Sequence, residues 1–371
     1  MTANTTCAKP DAILDATISM VLFSIFCMIG VSSNILILYI IFTRKQMQTP
    51  SNYCVISLAI ADLGSLVFAV PSYSILKYSI SIPDLSFCRL YMIFLKTLIY
   101  SSTYTHVAIA FERHRVIVFP MKPRLSSQKM KIVNASIWII VFVCVAPIYG
   151  FLTTIIPYCG KKSYCGINLE AHSDFLKMVF YGFVFSFNWI IPYGIVIFLY
   201  RQTCCCLKQH VVPTEKNQDP MVALRSKQNS KIIRMLIILV LSSAITNLPS
   251  FMYIVLETVR ICFNIHLFMN KDVFSEISHA NLFAGFCCNP FVLYFMSNQY
   301  HQAINCVFTS FATKMGFKSK SFTIEQKEKN YSSAASTYIW ATVQSSHKVL
   351  LIRMLWDMFT RQLKSRLGCC L

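Results

Sequence analysis

Four side chains able to hold a cation or a small water cluster recur at similar depth in four apolar runs: Asn34, Asp62, Ser102 and Asn289. Asp62 lies about twelve residues into its run, near mid-bilayer at a helical rise of about 1.5 Å per residue. An ionisable group at that depth costs several kcal/mol, so it needs Na⁺, water or a polar network that joins helices. A second set is Glu112 beside Arg113, which close a run opened by Cys88 roughly 37 Å earlier by helical rise. That pair can open to accept a partner, or it can simply mark the membrane boundary. A third set lies toward the other end: Lys96, Glu257, Glu276 and His279, interleaved with Tyr100, Trp189 and Phe251. Both charge signs beside aromatic faces suit a ligand with charged termini and mixed side chains. Internal pairing of Lys96 with Glu257, or snorkelling of its ammonium, accounts for the same residues.

Cys88 can bond a cysteine of the segment between Pro157 and Asp174, given the oxidising conditions outside a cell. Cys165 is the first choice and Cys159 the reserve, because spacing does not settle connectivity. The motifs of common enzymes are missing: no Gly-rich phosphate loop, no HExxH, no CxxC pair. Cys204-Cys205-Cys206 falls at the edge of an apolar run, where acylation or packing explains it better than a metal. The expectation is therefore no enzyme and no metal centre.

These residues need long helices to carry them. The 371-residue chain is 55% hydrophobic and 13% charged, with a mean hydropathy of +0.54. A soluble domain carries about 25% charged residues. Long apolar runs fall at about 16–43, 50–78, 85–118, 131–157, 174–200, 232–259 and 273–297. Each is long enough for a hydrocarbon core about 30 Å thick. Lys and Arg number 34 against 15 Asp and Glu, a formal charge of +19. Much of the excess falls in alternate breaks: Arg44 and Lys45; Lys122, Arg124, Lys129 and Lys131; Lys208, Arg225 and Lys227. Basic breaks belong in the cytoplasm, which puts the N-terminus outside and removes the need for a nucleic-acid partner.

Residues 1–15 are polar and the first run is too long for a leader's apolar core of about 7–15 residues, so it is expected to be a membrane span rather than a cleaved leader. Asn4-Thr5-Thr6 is a glycosylation sequon on the outer tail. Prolines at Pro71, Pro147, Pro192, Pro249 and Pro290 fall in five different runs, and each favours a kink about which a helix can pivot. The division expected is a tail over 1–15, a bundle over 16–297, an amphipathic membrane-surface helix over 298–312 and a cytoplasmic tail over 313–371. That last segment holds a second membrane-lying pattern from Leu351, with Cys369 and Cys370 available for palmitate; an unstructured tail is the alternative.

In order along the chain these residues resemble the rhodopsin-like (class A) G-protein-coupled receptors over about residues 16–312. The matches are Gly30 to Asn34, Leu58-Ala59-Ile60-Ala61-Asp62, Glu112-Arg113-His114 with Pro120-Met121-Lys122, Trp138 with Pro147, Pro192 with Tyr200, Pro249, and Asn289-Pro290. The resemblance implies an all-α membrane protein: a seven-transmembrane helix bundle with a short eighth helix, in the plasma membrane. It implies that Arg113 leaves Glu112 to receive a G-protein α subunit, that Tyr200 supports the open state, and that arrestin is a further partner. Asp62, Ser102 and Asn289 would form a sodium site.

Four positions depart from the family pattern. Asn247 stands where a Trp is usual, and Ser243 where a Phe is usual below it. Leu293 takes the place of the seventh-span Tyr, with Tyr294 one position late, and Asn229 offers no carboxylate to latch Arg113. Leu95 occupies the place of the amine receptors' Asp and Phe283 that of the opsins' Lys, so neither ligand class is expected. A peptide ligand is the first expectation and a lipid or other small molecule the second, with weak G-protein coupling as a further variant. A seven-span transporter or channel would need paired ionisable groups along a path and often inverted repeats, which the sequence lacks.

Overall fold

The computed structural model describes residues 10–78, 84–158, 162–167, 169, 172–211, 220–263 and 271–314. Nearly all of them are helical. α1 spans Pro10–Thr43, α2 Pro50–Tyr78, α3 Leu85–Val118 and α4 Ser127–Leu152. α5 (Asp174–Phe185) and α6 (Ile191–Val211) are two parts of one span, joined by a π turn at Ser186–Ile190. α7 runs over Pro220–Phe263, α8 over Lys271–Met296 and α9 over Asn298–Lys314. The helix starts are set by short polar side chains that accept orphan backbone N–H groups. Asp84 accepts from Phe87 N at 2.6 Å, Ser126 from Lys129 N at 3.3 Å and Ser173 from Leu176 N at 3.4 Å.

Five stretches are long and apolar enough to cross a bilayer: Phe23–Thr43, Pro50–Phe68, Ser127–Leu152, Asp174–Leu207 and Gln228–Arg260. Neither α3 nor α8 passes that measure alone. α3 carries Thr97, Ser101, Ser102, Thr103, Thr105 and His106 around its circumference, all buried, which lowers its hydropathy. α3 is the hub, packing on α2, α4, α6 and α7, while α1 packs on α2 and α8, and α7 packs on α8. The outward surface is apolar, with Ile139, Val143, Phe151 and Ile197 each more than 60% exposed. Such a surface is stable against lipid chains and not against water.

Two apolar clusters fill the interior. Toward the Cys88 end lie Tyr100, Tyr149, Phe180 and Phe283; toward the Arg113 end lie Leu58, Ile109, Met130, Leu199 and Leu239.

The fourth span is shorter than its apolar run. Residues 153–157, expected within it, form part of strand β1 (Thr153–Tyr158), paired antiparallel with β2 (Lys162–Ile167). The β-branched run Thr153-Thr154-Ile155-Ile156 packs better on a pleated ribbon than in a helix, and Pro157 cannot continue one. Chain contacts divide the molecule into one unit through His301 and a second from Gln302 to Leu371. The described part of the second unit is the remainder of α9, in which Phe308 and Phe311 are exposed.

Candidate functional site

At mid-depth Asp62 is fully buried. Ser102 of α3 donates to its Oδ1 at 3.2 Å and Asn289 of α8 donates Nδ2 to its Oδ2 at 2.7 Å, so three spans meet at one carboxylate. Asn289 Oδ1 is buried and has no hydrogen-bond partner among the described residues. A small cavity, with room for about one water-sized group, adjoins this cluster, lined in part by Asp62, Ser102, Thr246, Asn247 and Asn289. Asn34 stands aside from it. Its Nδ2 donates to Gly30 O at 2.9 Å and to Phe286 O at 3.1 Å, which ties α1 to α8. Gly30 permits that approach: a Cβ there would lie 2.6 Å from Leu66 Cδ1 and 2.8 Å from Cys287 Sγ.

At the Arg113 end, Arg113 Nε lies 3.1 Å from Glu112 Oε2. Ser51 of α2 accepts a hydrogen bond from Arg113 Nη2 and donates to Glu112 Oε2 at 3.0 Å. His114 Nε2 pairs with Gln202 Oε1 of α6 at 2.7 Å, and Tyr200 of α6 is buried with its hydroxyl unpartnered among the described residues. On α7, Lys231 donates to Asn298 Oδ1 at 2.9 Å, binding that helix to the start of α9. Tyr300 donates to Asn52 Oδ1 at 2.9 Å, and Asn52 in turn donates to Met47 O at 2.6 Å. Leu293 takes the buried position in α8, while Tyr294 turns to His301, with ring centroids 4.7 Å apart. Pro249 and Pro290 sit inside α7 and α8, four positions or fewer from Asn247 and Asn289.

At the Cys88 end, Cys88 is bonded to Cys165, with Cα atoms 5.4 Å apart; the hairpin register sets Cys165 opposite Ile155. The bond secures β2 to the start of α3. Lys96 is half-buried, its Nζ 5.8 Å from the Tyr149 ring centroid. Tyr149 and Tyr100 share a hydroxyl hydrogen bond of 2.7 Å, and Leu95 packs beside this cluster. Trp189 lies 4.4 Å from Phe251 between centroids, and Phe185 stacks on Phe251 at 5.1 Å. His279 is half-buried on α8. Asn4, Cys159, Cys369, Cys370 and the side chains of Glu257 and Glu276 lie outside the described residues.

Four features were not legible in the residue pattern. One is the Ser51 bridge, and another the Tyr300–Asn52 tie. The third is the π turn, whose Phe187 carbonyl accepts from Tyr104 OH at 2.8 Å. Turns of this kind are rare and concentrate at functional sites. The fourth is His106, 2% exposed, with neither ring nitrogen bonded among the described residues. An apolar run containing a His gives a signal only through its cost in lipid.

Seven helical spans, a lipid-compatible exterior and a polar interior at three depths define a multi-pass membrane protein. The description "7 transmembrane receptor (rhodopsin family)" matches residues 33–294, and the chain belongs to that family. It is similar to the Substance-P receptor of Aquarana catesbeiana, 28% identical over 246 residues covering 65% of this chain and 59% of that one. It is similar as well to the Substance-K receptor of Rattus norvegicus, at 27% over 246 residues, covering 66% and 62%. The human Substance-K receptor gives 26% over 247 residues, covering 66% and 61%. The chain thus spans about three-fifths of the length of these relatives.

Proposed function

We propose that this chain is a plasma-membrane receptor that converts binding of an extracellular peptide into nucleotide exchange on a heterotrimeric G protein. One observation carries the reading: Arg113 is held at the end of α3 by Glu112 and by Ser51 of a neighbouring helix. Those contacts are reversible, so the guanidinium can change partners when the helices separate. The names of the relatives favour a peptide over a lipid. The Lys96–Tyr149–Tyr100 group and the Trp189–Phe251–Phe185 group supply a cation and aromatic faces for its residues.

The mechanism is a population shift. A peptide that contacts the open bundle better than the closed one moves the equilibrium by its difference in affinity. A full reversal from 1:99 to 99:1 takes about 5.5 kcal/mol. Opening frees Arg113 from Glu112 and Ser51, and Tyr200, whose hydroxyl has no partner among the described residues, gains one there. Lys231–Asn298 restrains α7, where Asn229 offers no carboxylate to Arg113. The N-terminus lies outside and the C-terminus inside, where arrestin competes for the same cleft. Asn4 carries glycan, Cys369 or Cys370 carries palmitate, and α9 lies along the inner membrane surface.

Asp62, Ser102 and Asn289 would hold Na⁺ in this reading. The single carboxylate and the orphaned Asn289 Oδ1 fit a monovalent cation with oxygen ligands. When bound, Na⁺ would supply the positive charge that the buried Asp62 carboxylate lacks.

The deciding experiment reconstitutes the chain in nanodiscs with a panel of G proteins and measures nucleotide exchange under a peptide library. Stimulation of at least one G protein by a peptide is expected, together with its loss in Arg113→Ala at normal surface expression. Coupling that survives Arg113→Ala would remove the assigned role.

A further inference from the structure

The sixth span bears oxygen where a wall of rings is usual. Asn247 and Ser243 replace the family's customary Trp and Phe, and both line the cavity beside Asp62, with Thr246 between them in sequence. Asn247 lines the cavity and donates Nδ2 to Ser243 O of its own helix at 2.8 Å, a bond that does not use Oδ1. Thr246 Oγ1 donates to Ser242 O at 3.0 Å and retains its lone pairs.

The carboxylate is under-supplied from its own side. Each Asp62 oxygen accepts one side-chain hydrogen bond, from Ser102 and from Asn289. A carboxylate has about four lone-pair sites, and a buried charge needs a counter-charge. α2 supplies the carboxylate, α3 and α8 its two donors, and α8 also the orphaned Asn289 Oδ1. The remaining side of the cavity belongs to α7, and the space enclosed is enough for a small ion or a single water.

We propose that the cation site of this chain extends onto the sixth span and that Asn247 Oδ1 is its ligand there. The proposal rests on the Na⁺ reading of Asp62 given above and deepens it. A cation shared between Asp62 and Asn247 joins α2 to α7 directly. Asn247 lies two residues before Pro249, the point at which α7 can pivot. Occupancy therefore restrains the moving helix itself.

The test needs no agonist. Ligand-free full-length protein is unfolded thermally at increasing NaCl, with choline chloride replacing it to hold ionic strength constant. The midpoint of the wild-type chain is expected to rise with Na⁺ and that of Asp62→Asn to lose the response. Asn247→Ala is expected to need about tenfold more Na⁺ for the half-maximal shift, the scale of one lost ligand. Asn247→Asp, which keeps the shape and adds a charge, is expected to need less than wild type, and it replaces the alanine variant if that one does not fold. If both Asn247 variants keep the wild-type Na⁺ dependence while Asp62→Asn loses it, the sixth-span ligand is wrong and the Asp62 site stands. If the wild-type chain shows no Na⁺ response, or Asp62→Asn retains a full one, both readings fall.

Discussion

Ser51 and Arg113, 62 positions apart, meet where α2 and α3 approach each other: the hydroxyl of Ser51 accepts from the guanidinium and donates to Glu112. One side chain thus closes both halves of the charged pair, from a helix other than the sixth.

Removing that hydroxyl should loosen Arg113. A hydrogen bond to a charged group contributes about 1.5–3 kcal/mol when buried, and less here because Arg113 is partly exposed. Ser51→Ala is expected to raise agonist-independent nucleotide exchange several-fold, and Ser51→Thr to leave it near wild type. Equal basal exchange in all three would show that Ser51 does not hold the resting state.

The disulfide offers a non-additivity test. Cys88→Ser and Cys165→Ser should lower surface expression to the same degree, and the double variant no further, because one bond is lost in each case. The bond is expected to contribute about 2–4 kcal/mol. Cys159→Ser should be silent; a Cys159 variant as harmful as the other two would mean exchange between pairings.

His106 is a buried ring with both nitrogens unpartnered among the described residues. An unsatisfied buried polar group costs about 1–3 kcal/mol, whereas an apolar group of similar size removes that penalty. His106→Leu is expected to raise the thermal midpoint of the ligand-free protein and to lower basal exchange. A fall in the midpoint would mean that the imidazole is satisfied by water in the resting bundle.

Gly285 brings α8 onto α7. A Cβ there would stand 2.6 Å from Thr246 Oγ1 and 3.1 Å from its Cβ. Gly285→Ala should destabilise by about 1–3 kcal/mol through overpacking. Adding Thr246→Ala should recover part of the loss in a thermal melt, and additive losses would show that the two helices do not press at this point.

The residue pattern located the long helices because lipid leaves so few alternatives: every backbone group must be paired within the span, and apolar runs of sufficient length have one solution. α2 and α3 run over the same residues as their apolar runs, 50–78 and 85–118. Asp62, Glu112, Arg113 and Asn289 stood out for the same reason, as polar groups whose presence in lipid needs an account.

Partners were another matter, since they depend on which faces meet. Cys165 over Cys159, Ser51 for Arg113 and backbone carbonyls for Asn34 are choices among equally allowed chemistry, made by helix rotation and strand register. The strand at Thr153–Tyr158 ended a run whose hydropathy would have carried the helix further, because β-branched crowding and Pro157 act on backbone shape rather than on burial. The π turn at Ser186–Ile190 likewise leaves no mark on composition; it shifts the register of one helix, and Tyr104 of another takes up the Phe187 carbonyl. Sequence determined which groups had to be buried in the membrane, and tertiary packing decided which of them touch, because contact requires two faces and each helix specifies only its own.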